Sequence, residues 1–98
     1  MIVRIVKMEF QEDKVTDFLQ LFEERKERIR HFEGCKHLEL WRQSGKSNIF
    51  FTYSHWNAES DLDHYRFSDF FKDTWQLTKA LFAAKAEAWS VEQEVVME

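Results

Sequence analysis

An α+β sandwich, with helices packed on one face of an antiparallel sheet, is the fold this chain predicts, and three observations carry it. The hydrophobic period switches between two and about 3.6 residues in the order β-α-β-β-α-β. A short glycine-containing turn joins the two middle strands. The length of 98 residues allows one core and no second, so residues 1–98 form a single domain. This order of elements is that of the ferredoxin-like sandwich.

Residues 2–10 read as the first strand, with Ile2, Val6, Met8 and Phe10 on one side and Val3 and Ile5 on the other. From about 13 to 31 the period is helical. Val15, Phe18, Leu19, Phe22 and Ile29 form its stripe, while Glu23, Glu24, Arg25, Glu27 and Arg28 fall mostly outside and read as a solvated face. Gly34 ends this region in the left-handed conformation that glycine takes freely. Strands at about 36–43 and 48–56 flank the turn Ser44-Gly45-Lys46-Ser47 and make a hairpin. Asn57 is the expected N-cap of a short helix reaching about 66, with Glu59 and Asp61 in its first turn. Ser68 caps a second helix striped by Phe71, Thr74, Trp75, Thr78, Leu81, Phe82 and Lys85. Residues 88–97 read as the last strand, with Trp89, Val91, Val95 and Met97 on one side.

Composition narrows the function classes. The net charge of −4 gives no electrostatic reason to seek nucleic acid or an anionic membrane. No apolar run approaches the ~20 residues of a membrane span, and the N-terminus lacks the apolar core and cleavage site of a signal peptide. Cys35 is the only cysteine, so no intrachain disulfide forms and a reducing, cytoplasmic setting is expected. Aromatic residues reach 16%, a surplus that should line a pocket or an oligomer interface.

An antiparallel sheet with helices on one face leaves its other face bare. If Ile2, Leu38, Phe51 and Val91 mark one face, the opposite parity still holds Val3, Ile5, Trp41, Phe50, Trp56 and Val96. Each such side chain is worth ~1.5–3 kcal/mol when buried, so a homodimer packed sheet to sheet is the expectation.

The chain resembles the antibiotic biosynthesis monooxygenase domain family, a dimeric α+β barrel. The resemblance is carried over nearly the whole length by the strand M-I-V-R-I-V-K-M, the helix stripe with Phe18 and Phe22, the turn F-E-G-C at 32–35, the strand ending Y-S-H-W, and the run W-N-A-E-S-D-L-D-H-Y-R-F-S-D-F-F from Trp56 to Phe71. Glu33 stands where the family's turn usually has proline, while Gly34 and Cys35 match. Trp56, His64, Ser68 and Phe71 meet the family pattern of Trp, an acidic short helix, His, then Ser-x-x-Phe.

The resemblance implies a pocket between helices and sheet and several possible activities. These are cofactor-independent oxygenation of aromatic polyketides, quinol oxidation, haem degradation and isomerisation. The haem-degrading branch uses an Asn, a Trp and a His where alignment places Val6, Tyr65 and Trp75, and an indole cannot replace an imidazole ligand, so haem is not expected.

His64, amid Trp56, Tyr65 and Phe67, is the candidate base or anion partner in an apolar pocket; the alternative is a surface histidine bonded to a backbone carbonyl. Trp56, Tyr65, Phe67, Phe71 and Trp75 are candidates for the pocket wall, or else plain core or interface. Tyr53 and His55 share a strand face with Phe51 and are candidates to project polar tips into the same cavity, or to bond across an interface. His31, Cys35 and His37 lack the paired spacing of a zinc site, and no glycine-rich nucleotide or flavin motif is present. An RNA-recognition domain shares the element order, but its stacking aromatics are missing from the first strand and the chain is acidic. The expected function is a cytoplasmic homodimeric monooxygenase of a phenol, hydroquinone or polyketide-like compound, needing no metal, haem or flavin. The alternatives are a dimeric small-molecule-binding protein without turnover and an isomerase of the same fold.

Overall fold

The computed structural model describes residues 1–98. Along the chain run β1 (Ile2–Glu9), a 3-10 turn (Glu12–Lys14), α1 (Val15–Arg30), β2 (Cys35–Arg42), β3 (Ile49–Trp56), α2 (Glu59–Arg66), α3 (Asp69–Lys79) and β4 (Glu87–Val91). The strands form one antiparallel sheet in the order β2-β3-β1-β4, the expected ferredoxin-like α+β topology.

Local chemistry explains most boundaries. Gly34 has φ of 89°, so it takes the left-handed conformation expected of it. It also lies so close to α2 that a Cβ there would collide with the Asp61 side chain. The Asn57 N–H donates to the Gly34 carbonyl at 2.9 Å and fastens the start of α2 to this turn. Ser68 caps α3 as expected, its Oγ accepting from the Phe71 N–H at 3.1 Å and donating to the Tyr65 carbonyl at 2.6 Å. Two expectations are corrected. The N-cap of α2 is Ala58, not Asn57, and no side chain caps it. β4 stops at Val91 rather than 97, because β1, its one partner, pairs it only as far as Val3 and leaves 92–98 nothing to bond.

The sheet's two faces also differ from the expected assignment. Residues opposite one another across a sheet point the same way, and Leu38 with Ser54, Thr52 with Val6, and Phe50 with Met8 share the helix-covered face. Phe50 and Trp56 are therefore core, and Phe51 and Val91 belong with Val3, Ile5 and Trp41 on the open face. The sequence could not order these, because β3 carries large apolar residues at both parities.

The core is divided into two clusters. Met8, Phe10, Phe18 and Phe50 make one, in which Phe10 and Phe18 stack with centroids 4.1 Å apart and join β1 to α1. Ile29, Cys35, Trp56, Leu62 and Tyr65 make the other, which seats α2 on the sheet; Trp56 stacks on Tyr65 at 4.9 Å. Removing an aromatic ring from either would cost about 3–5 kcal/mol. Arg25 ties α1 to α3, donating to Asp73 Oδ2 at 2.9 Å and Thr74 Oγ1 at 2.8 Å.

Candidate functional site

A cavity of about 290 Å³, lined by residues of both core clusters, lies under the helices. Its origin can be read across the strands. Ala88, Val6 and Thr52 sit side by side on β4, β1 and β3, and these short side chains leave a hollow beneath α3. Phe71 and Trp75, one turn apart on α3, wall it with parallel rings 5.9 Å apart. Trp56, Leu62 and Tyr65 from one core cluster and Met8 and Phe18 from the other also line it.

A polar row borders this apolar space, with Arg4 and Ser54 lining it and Ser90 exposed beyond. Ser90, Arg4 and Ser54 lie side by side on β4, β1 and β3. Arg4 Nη1 donates to Ser90 Oγ at 3.0 Å. Ser54 is buried and its Oγ accepts from the Trp56 indole N–H at 3.0 Å. Arg66 reaches the same cavity from the last turn of α2. Burial depresses the Arg4 pKa, the positive Arg66 depresses it further, and Asp63 opposes both. Burial, reinforced by the nearby Cys35, pushes the Tyr65 phenol far above its ordinary range, so it stays neutral at working pH. No carboxylate or imidazole lines the cavity.

Trp56, Tyr65, Phe71 and Trp75 are thus brought together, and so is Val6. Three expected placements are corrected. His64 is exposed, edge-on to Phe32 at 6.0 Å, and does not line the cavity. Leu62 and Tyr65 point inward at helical spacing, Arg66 borders the cavity while exposed, and His64 lies about 100° round the helix from Tyr65. Phe67 is one residue beyond α2 and 72% exposed. Tyr53 and His55 do share a face with Phe51, but it is the open face of the sheet. There Tyr53 OH and His55 Nε2 lie 2.6 Å apart, Trp41 stacks on Tyr53 at 4.6 Å, and Glu39 bridges His37 and the Trp41 indole.

Arg4, Thr52, Ser54, Arg66 and Ala88 were not anticipated. Arg4 did leave a signal, being a charge between Ile2 and Val6 on the side of the strand that also holds Met8 and Phe10. No helix is long and apolar enough to cross a membrane, and no three His, Cys, Asp or Glu side chains are grouped to hold a metal ion.

The model of the antibiotic biosynthesis monooxygenase family matches residues 1–76. Among solved structures, a conserved protein from Methanosarcina mazei Go1 superposes with a TM-score of 0.88 at 23% identity, covering 96% of this chain and 94% of its own. An antibiotic biosynthesis monooxygenase superposes with a TM-score of 0.88 at 17% identity, over 95% of this chain and 98% of its own. A mutant of SnoaB, a cofactor-independent oxygenase from Streptomyces nogalater, superposes with a TM-score of 0.87 at 12% identity, over 98% and 95%. At these identities the likeness speaks for the fold. No curated protein matches the sequence.

Proposed function

Because the chain belongs to the antibiotic biosynthesis monooxygenase family, we propose that it is a cofactor-independent monooxygenase of an aromatic phenol or hydroquinone, bound in the cavity beneath α3. One observation carries this reading: a mostly apolar cavity of about 290 Å³, walled by the parallel rings of Phe71 and Trp75, has the shape and chemistry to hold a flat aromatic molecule.

The chemistry asks little of the protein. An ionised phenol is electron-rich and passes one electron to O2; the radical pair combines at a ring carbon to give a hydroperoxide. Loss of water then leaves a quinone. One oxygen atom enters the product, the other leaves in the water with two hydrogens of the substrate, and the substrate supplies all four electrons. The apolar wall limits the water that reaches the intermediates from the helix side. His64, outside the cavity, takes no part in this scheme. The substrate thus loses its proton without an imidazole beside it. That same feature favours a second reading, a protein that binds the aromatic compound without turnover.

The second copy of the chain belongs to this reading. The open sheet face presents Trp41, Trp89 and Val91 at 39%, 44% and 41% exposure, and the segment after β4 holds Val95, Val96 and Met97 in solvent. A partner packed sheet to sheet would cover these, and Trp41→Glu would then dissociate the dimer, halving the mass in light scattering toward the 12.0 kDa of one chain. Wild-type protein with the mass of one chain at micromolar concentration would refute the dimer.

Oxygen consumption tests the activity. Purified protein treated with chelator should consume O2 with 1,4-dihydroxynaphthalene or anthrone faster than a protein-free control, one O2 per quinone formed. Saturable binding of the same compounds with no excess oxygen uptake would establish the second reading.

A further inference from the structure

Arg4 and Arg66 both line one apolar cavity; the half-buried Arg4 has no carboxylate within salt-bridge distance, while the exposed Arg66 pairs loosely with Asp63, whose charge also reaches Arg4. Arg4 donates to the neutral Ser90 hydroxyl at 3.0 Å. Arg66 has only Asp63, with Nη1 and Oδ1 4.0 Å apart on the half-exposed outer side of α2. Two like charges beside a low-dielectric space repel, and the depressed Arg4 pKa reflects both its burial and that repulsion. An arginine stays ionised in such a place. The chain as a whole is acidic, at −4, so the positive charge here is local and runs against the overall balance. Moreover, the other polar groups lining the cavity are neutral: the hydroxyls of Thr52, Ser54, Tyr65, Thr74 and Thr78 and the indoles of Trp56 and Trp75. A half-buried cation facing an aromatic-walled hollow that no carboxylate lines favours a ligand that brings negative charge.

Resting on the oxygenase reading for the ring system, we infer that the ligand is an acidic aromatic compound, bound as its preformed anion, with Arg4 holding the anionic oxygen and Arg66 adding charge at the same end. The anion is a carboxylate or a phenol acidic enough to ionise near neutral pH. Arg4 is then the residue that selects for charge. Ser90 positions it through the 3.0 Å hydrogen bond from β4. Binding the ligand already ionised also supplies the electron-rich form that reacts with O2, which is why the cavity works without a histidine or carboxylate.

The test uses 2-naphthoate and its neutral analogue 2-naphthalenemethanol, titrated at pH 7.5 by quenching of the tryptophan emission to which Trp56 and Trp75 of the wall contribute. Wild type should prefer the carboxylate by roughly tenfold or more, the size of one charge-assisted hydrogen bond. Arg4→Gln should remove most of this preference while leaving alcohol binding within about twofold, and Arg4→Lys should restore part of it, as a monodentate cation does. Arg66→Gln, on the helix rather than in the sheet, should lower the preference less and guards against misfolding of the Arg4 variants. Equal binding of the two probes by wild type, an undiminished preference in folded Arg4→Gln, or binding of neither probe would overturn the inference. Carboxylate preference without oxygen uptake from any hydroquinone would leave the anion site standing and defeat the oxygenase reading alone.

Discussion

Phe71 and Trp75 stack with ring planes 10° apart and centroids 5.9 Å apart, one turn apart on α3. Their alignment follows from helical spacing, which puts i and i+4 side chains over one another. Tyr65 meets Phe71 edge-on at 5.0 Å, and Phe82 meets Trp75 edge-on at 5.5 Å, so each end of the pair is fixed by a perpendicular ring. The result is a flat wall held from both sides.

Truncating that wall should therefore weaken binding more than it unfolds the protein. Trp75→Ala is expected to lower affinity for 1,4-dihydroxynaphthalene about 2- to 10-fold, and Trp75→Phe to recover most of it, in keeping with ~0.5–1.5 kcal/mol for an aromatic pair beyond its buried area. Fluorescence titration checks the affinities and circular dichroism the fold.

Ala88 offers the opposite experiment. It lies beside Val6 on the cavity floor, so Ala88→Phe should fill the hollow and abolish aromatic binding. β4 is an edge strand, and an aromatic residue suits such a position, so the melting temperature should hold or rise. Wild-type affinity in Ala88→Phe would show that ligands bind elsewhere.

His64→Ala should leave oxygen uptake within about twofold of wild type, since the imidazole is exposed and faces Phe32 rather than the cavity. Loss of the ~10²–10⁴ expected of a general base would return His64 to the chemistry.

How much was legible in the sequence follows from how local each signal was. Gly34 and Ser68 declared a turn and a cap because the reason for each lies within three residues, and the strand order followed from the β-α-β-β-α-β pattern. Of the site, Trp56, Tyr65, Phe71 and Trp75 were found because rings at helical spacing following an aromatic strand must pack somewhere. Which face of β3 meets the helices was not legible, since Phe50 and Phe51 are adjacent and equally apolar. Only cross-strand register separates them, and with it Tyr53 and His55 leave the pocket. The direction of His64 turned on a single step of helix rotation within a run whose other rings mostly point inward. The hollow itself comes from Ala88, Val6 and Thr52, three small residues far apart in sequence, and no local pattern joins them.

Two groups on the open face contribute to the acid stability. Burial, and next the charge of His37, hold the His55 imidazole below its ordinary 6.5, with Glu39 opposing. Hydrogen bonds from His37 and then Trp41 hold the Glu39 carboxyl below its ordinary 4.5. In both cases the unfolded chain binds more protons than the folded one at pH below the ordinary value. Stability is therefore fully present above about pH 6.5 and is lost as pH falls, first through His55 and then below about 4.5 through Glu39. Melting temperatures measured from pH 8 to 4 should decline in these two windows, and His55→Asn should flatten the first. A melting temperature that rises on acidification from pH 7 to 5 would contradict this assignment.

Cys35, the lone thiol, packs behind Trp56, Leu62 and Tyr65 of the cavity lining and donates to the His37 carbonyl at 3.6 Å. Burial raises its pKa, so the folded protein holds little thiolate there, and a thiol reagent reacts only when this corner opens. The rate of its modification is thus a clock for the breathing of α2 against the sheet. A ligand seated against Trp56 and Tyr65 would slow that clock by the factor with which it favours the closed form, so occupancy can be timed at a sulfur atom that never meets the ligand.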